Sequence, residues 1–185
     1  MRNFSRTLKP EQFDAKVIVY PDGRYAYSYV GTLTFVPALV QSARVKVCER
    51  CEAQLKKLAA QLLQEGFRKA DYIGDGRYRV IFEGDRAKDE PLFFLSRENP
   101  AFSVMPQLDG AIMIGAFRSD GSPMRGYNGS GAETDGSLNV TVESGIRVIR
   151  HNAQEEPLMH GSFAEYYWRI NLRTAAPFIV MQATR

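Results

Sequence analysis

The stretch "PALVQSARVKVCERCEAQLKKLAAQLLQEG", residues 37–66, decides whether this chain is built on sheets alone or carries a structural helix. Pro37 suits the first turn of a helix, where its missing N–H costs nothing. Beyond it Leu39, Val40, Ala43, Val47, Cys51, Leu55, Leu58, Ala59, Leu62 and Leu63 recur at three- and four-residue steps, the spacing of one helical face. Gly66 supplies the stop. The segment "ARVKV" at 43–47 also alternates like a strand, so the helical expectation is firmest over residues 48–65.

Working back toward the N-terminus, "AKVIVYPDGRYAYSYVGTLTFV" (15–36) alternates apolar and polar positions on both sides of Pro21-Asp22-Gly23. Proline presets one φ and glycine accepts a positive one, so the tripeptide reads as the turn of a hairpin. Tyr25, Tyr27 and Tyr29 share one parity and therefore one face of the second arm. Working forward, "RYRVIFEG" (77–84), "PLFFLS" (91–96), "AFSVMP" (101–106) and "GAIMIGAFR" (110–118) are short apolar runs bounded by Pro, Gly and Asp, hence strands. "SLNVTVESGIRVIRHNA" (137–153) reads as a second hairpin turned at Glu143-Ser144-Gly145, and "EYYWRINL" and "PFIVMQA" as the last two strands. Residues 119–136, rich in Gly, Ser and Asp, cannot bury enough apolar surface to order themselves and are expected to be a mobile loop.

A hairpin, one helix and then only strands predicts an α+β fold: an antiparallel β-sheet with one long amphipathic helix packed across a face. At 185 residues and 44% hydrophobic content the chain suits one core, so residues 1–185 are expected to form a single domain, with 1–14 a flexible N-terminal segment. The formal charge is +3, with 8 Lys/Arg against 4 Asp/Glu in residues 1–50. That mild excess lacks the clustered basic face that neutralises several phosphates at once, which argues against nucleic acid as a partner. No apolar run approaches the ~20 residues that span a bilayer. The start has no apolar h-region. Membrane association is therefore expected only through segments outside this sequence.

The stretch "IRHNAQEEPLMHGSFAEYYWRI" (149–170) gathers both histidines, Asn152, Glu155-Glu156 and the single tryptophan. His151 and Asn152 are adjacent and would point to opposite faces of a strand, which defeats a Cys-His-Asn arrangement with Cys48 or Cys51. His151 and His160 are too far apart for a structural zinc pair, and Cys48-Glu49-Arg50-Cys51 has no second ligand pair. The expected picture is a loop between strands that holds the histidines and glutamates, with Asn152 and Pro157 shaping the turn and Trp168 anchoring the next strand. No glycine pattern carries the lysine or helix start of a phosphate loop. No catalytic residue, metal ligand or cofactor is nominated.

Several short motifs follow one another along the chain: Asp22-Gly23 in the first turn, Glu65-Gly66-Phe67 closing the helix, and Gly76-Arg77-Tyr78 opening a strand. A late block follows, of Val140, Val142, Gly145, Val148, Asn152 and Tyr166-Tyr167-Trp168. In this order the chain resembles the LppM-like bacterial envelope lipoprotein domain. The resemblance implies a non-enzymatic domain of the cell envelope or periplasm whose sheet and helix enclose an apolar groove able to receive lipid; without it the cytoplasm is the default. The expected partner is a lipid or other amphiphile, or a protein, held between helix 48–65 and the concave sheet face. The nominated contacts are Tyr25, Tyr27, Tyr29, Phe93 and Trp168, since such pockets are lined by apolar and aromatic groups. Two alternatives remain: a nucleic-acid or host-factor binding protein of phage origin using the basic N-terminal third, and an enzyme with a site near His151–His160.

Overall fold

The computed structural model describes residues 8–35, 37, 49–95, 101–115, 134–171 and 174–183. Among these residues twelve strands and the helix α1 have defined bounds, in chain order: β1 (Leu8–Val19), β2 (Tyr25–Phe35), α1 (Glu49–Gln64), β3 (Lys69–Gly74), β4 (Arg77–Arg86), β5 (Leu92–Phe93) and β6 (Ser103–Pro106). Then come β7 (Ala111–Gly115), β8 (Asp135–Glu143), β9 (Ile146–His151), β10 (Leu158–His160), β11 (Phe163–Asn171) and β12 (Phe178–Ala183). They form a seven-stranded sheet, ordered β10-β11-β8-β1-β2-β4-β3, and a five-stranded sheet, ordered β5-β6-β7-β12-β9.

This corrects the α+β expectation of an antiparallel sheet with one long helix across a face. Among the described residues strands dominate, and α1 is a 16-residue helix beside β3. Leu55, Leu58 and Leu62 bury its apolar face, and the Tyr78 hydroxyl donates to the Leu55 carbonyl at 2.9 Å. The helix ends as its sequence dictates. Gly66 takes φ +98°, and the Gly66 and Phe67 amides return to the Leu63 and Leu62 carbonyls, a Schellman cap. Residues 38–48 of the expected helix lie outside the described residues. What covers the long sheet is the second sheet. Inward side chains of both join one buried cluster, in which Phe94 links Tyr29 (4.3 Å between ring centroids) and Phe82 (5.1 Å) to Phe102 (5.4 Å). Two amphipathic sheets can each bury one face against the other, and the short helix then packs beside edge strand β3, adding Leu58 and Leu62 to the same cluster.

The first hairpin holds. Val19 pairs with Tyr25 across the turn, and Gly23 adopts φ +85°. β1 nevertheless begins at Leu8, so residues 8–14 are strand and are paired with β2. The second expected hairpin does not form. β8 pairs in parallel with β1 and antiparallel with β11, whereas β9 pairs with β12 in the other sheet. Glu143-Ser144-Gly145 is thus the point where the chain changes sheets. Local turn signals cannot distinguish the two outcomes, because a tight reversal serves either. Of the expected 119–136 loop, residues 119–133 lie outside the described residues, and Asp135-Gly136 open β8. Among the described residues no helix is long and apolar enough to cross a membrane.

Candidate functional site

Strand alternation sends Tyr25, Tyr27 and Tyr29 inward from β2, and Trp168 inward from β11. All four are buried, with Trp168 at 1% exposure. Tyr29 stacks on Phe13 at 5.2 Å, Tyr27 meets Phe82 at 5.2 Å, and the Tyr25 hydroxyl donates to the Glu90 carbonyl. Burial holds the Tyr29 phenol well above its ordinary value of 10. Phe93 is half-buried in β5 of the other sheet. Tyr25, Tyr27, Tyr29 and Trp168 therefore belong to the buried cluster between the sheets, packed against neighbouring rings, whereas on β5 it is Leu92, not Phe93, that joins that cluster.

The histidine stretch is divided between faces. His151 ends β9 and sets its ring edge against inward-facing Tyr166 at 4.9 Å, its Nδ1 accepting from the Ala153 amide. His160 ends β10 with Nε2 3.6 Å from the outward-facing Glu165. Glu155 and Glu156 are exposed between them. These groups do not converge on a cleft. Asn152 has a role the sequence reading missed. Its Oδ1 accepts from the Trp168 indole (2.9 Å) and from the Phe178 amide (2.8 Å), while its Nδ2 donates to the Ala176 carbonyl (2.9 Å). One amide thereby ties β11 of the long sheet to β12 of the short one. Cys51 is disulfide-bonded, and Cys48 lies outside the described residues. Of the basic N-terminal third, Lys9 is buried and Arg24 pairs with Asp22 at 2.6 Å, while Arg44 and Lys46 lie outside the described residues.

The hollow with mixed chemistry lies on the opposite, outward face of the long sheet. The register of β1 on β2 slips between Pro10 and Phe13, a bulge that bends the strand. In the same row Phe13 lies between Gly31 of β2 and Gly136 of β8. A Cβ on Gly136 would sit 2.5 Å from the Phe13 ring, and one on Gly31 would sit 2.4 Å from the Gln12 carbonyl oxygen. Both positions thus demand glycine, and the ring fills the room the two missing side chains leave. The outward face above this row holds a hollow of about 540 Å³ that reaches from Arg79 on β4 to Tyr167 and Arg169 on β11. That is four inter-strand steps of about 4.8 Å each, or about 19 Å along the sheet.

Val30 and Tyr167 bring apolar surface to it, 48% and 41% exposed. Arg169 grips Asp135 in a two-pronged pair at 3.1 and 3.0 Å, which raises the guanidinium's affinity for its proton. The Ser137 hydroxyl donates to Asp14 at 2.6 Å. Arg79 is exposed and has no ion-pair or hydrogen-bond partner among the described residues. Sequence reasoning did not nominate these residues. The available signal was parity, since Tyr167 and Arg169 alternate with Trp168 and so face away from it.

No family model matches the chain, and no curated protein matches it. Among solved structures, the folded domain of LppM from Mycobacterium tuberculosis is similar at a TM-score of 0.39 and 8% identity, over 100% of this chain and 96% of that one. An M1 zinc metallopeptidase from Deinococcus radiodurans is similar at 0.39 and 8%, over 95% of this chain but 42% of that one, so the chain spans less than half the peptidase's length. A mutant of that peptidase bound to a Tyr-Ser-Ala substrate gives 0.37 and 10%. The domain whose resemblance was read from the sequence is thus among the solved structures to which the chain is similar.

Proposed function

We propose that this chain is a non-enzymatic binding domain of the cell envelope that takes an amphiphile in the outward groove of its long sheet. The observation that carries the reading is the coexistence in one hollow of half-exposed apolar side chains, Val30 and Tyr167, with the guanidinium of Arg79, which has no partner among the described residues. A volume of about 540 Å³ falls in the usual range of ligand sites, about 300–1,000 Å³. An amphiphile gains from both surfaces at once: its chain covers apolar area, and its head meets a charge. The envelope setting follows the resemblance carried by Asp22-Gly23 and the Tyr166-Tyr167-Trp168 block. A groove is favoured over the interior because the interior aromatics already fill one another's surfaces, and admitting a chain there would mean parting the two sheets.

Native mass spectrometry of the purified protein, followed by analysis of anything released, tests the reading. A co-purified amphiphile is expected on the wild type and is lost from T32W, which fills the groove from an outward position without touching the core. Retention of the amphiphile by a folded T32W protein would place binding elsewhere and overturn the assignment.

A further inference from the structure

We infer that the groove selects a dipolar head, with the ligand's anionic group at Arg79 and a primary ammonium at Asp14. This rests on the groove being the binding site. The inference comes from the charge balance of its lining. Arg169 and Asp135 neutralise one another in their two-pronged pair, leaving one cation and one anion of the lining without an ion pair among the described residues. Arg79 offers five N–H donors with no partner among the described residues. Asp14 is exposed, and its single hydrogen bond among the described residues comes from the Ser137 hydroxyl, a neutral donor. A carboxylate has about four lone-pair sites, so most of its capacity faces the groove.

The two charges are set apart by β2. Arg79 pairs with Thr32 and Asp14 with Val30, two residues along the same strand. Two inter-strand steps and two residues of rise give about 12 Å between their Cα atoms, a gap that the side chains themselves shorten. Val30, half-exposed, stands between them. A purely anionic head would satisfy Arg79 but face Asp14 with like charge. A head carrying an anion and a primary ammonium on a short spacer meets both, and the ammonium N–H groups give Asp14 hydrogen bonds that a quaternary ammonium cannot.

The probes are short-chain phosphatidylethanolamine, phosphatidylcholine and phosphatidylglycerol of equal chain length, and glycerophosphoethanolamine, which has the head without chains. They are titrated below their micellar concentrations into the whole chain and followed by backbone amide NMR. The ethanolamine lipid is expected to shift the amides of Val30, Ser137 and Tyr167, and to bind about tenfold tighter than the glycerol lipid, as hydrogen bonds between charged groups allow. R79Q is expected to weaken every lipid, whereas D14N is expected to erase only the preference for the ethanolamine head. Equal affinity for the ethanolamine and glycerol lipids, with groove amides still shifting, would overturn the dipolar selection and leave the groove as the binding site. Tight binding of the head alone, with no gain from chains, would keep the dipolar chemistry and overturn the amphiphile. The absence of groove shifts with every probe would sink both.

Discussion

The two faces of the seven-stranded sheet are made by alternate residues of the same strands, and they obey different rules. On β11, Tyr166, Trp168 and Ile170 point inward and are buried, while Tyr167 and Arg169 between them point outward and are exposed. On β2, Tyr25, Tyr27 and Tyr29 are buried against neighbouring rings, while Val30 stands half in solvent. The inward face spends its aromatics on cohesion. The outward face keeps a guanidinium and a carboxylate unneutralised by any charged partner among the described residues, close to where the register of β1 on β2 slips beside the Gly136-Phe13-Gly31 row. The difference teaches that aromatic content alone does not mark a ligand site; uncommitted polar capacity beside exposed apolar surface is the better marker.

The sharpest way to break this contrast is to truncate neighbours on β11. Trp168→Ala should cost about 3–5 kcal/mol in urea denaturation, as large aromatic deletions from cores do. Tyr167→Ala, one residue away, should stay within about 0.5 kcal/mol; equal costs would refute the division of faces. Asn152→Ala comes next. It strands the Trp168 indole N–H and the Phe178 amide, and each unsatisfied buried donor costs about 1–3 kcal/mol. A loss under about 1 kcal/mol would mean that water replaces the side chain and that the tie between sheets is dispensable.

Gly136→Ala probes the close packing of Phe13 beneath the hollow. Its Cβ meets the Phe13 ring, so a loss of about 1–3 kcal/mol is expected from overpacking. In the F13L background the loss should shrink, because the smaller side chain yields; an unchanged loss would show that the backbone, not the ring, demands glycine. A pH-dependent effect follows from the inward face. The phenols of Tyr25, Tyr29 and Tyr78 are raised above 10 by burial, so the folded state holds protons that the unfolded chain releases. Their contribution is intact below pH 10 and is lost as pH rises beyond it, so the midpoint in urea should fall on the alkaline side of pH 10. Tyr29→Phe should lessen that fall, since phenylalanine has no proton to lose. The smallest effect is spectroscopic. A groove ligand should leave Trp168 emission unchanged while moving the Tyr167 resonances, and the reverse pattern would return binding to the interior.

Much of this was legible in the alternation of residues. Inward and outward sets on β2 and β11 follow from the two-residue period, the hairpin from Pro21-Asp22-Gly23, and the helix over 49–64 with its Gly66 cap from the three- and four-residue spacing of leucines. The fold class was misjudged where local signals are silent about partners. Nothing in "VESGIRV" states that β8 and β9 join different sheets, or that β8 runs parallel to β1. Those pairings depend on which surfaces remain to be covered once the first hairpin has formed.

By itself, then, the sequence determined which residues share a face, where the helix stops, and that Gly23 and Gly66 take the positive φ of a turn and a cap, because these depend on φ, ψ and period within a few neighbours. Only the tertiary structure decided whether the tyrosine stripe fills a core or lines a pocket, since the two uses have the same pattern. It also decided that Asp14, Arg79 and Tyr167, far apart in the chain, line one hollow. The physical reason is that such convergence is set by sheet order and bending, which arise from contacts between residues distant in sequence and leave no local trace.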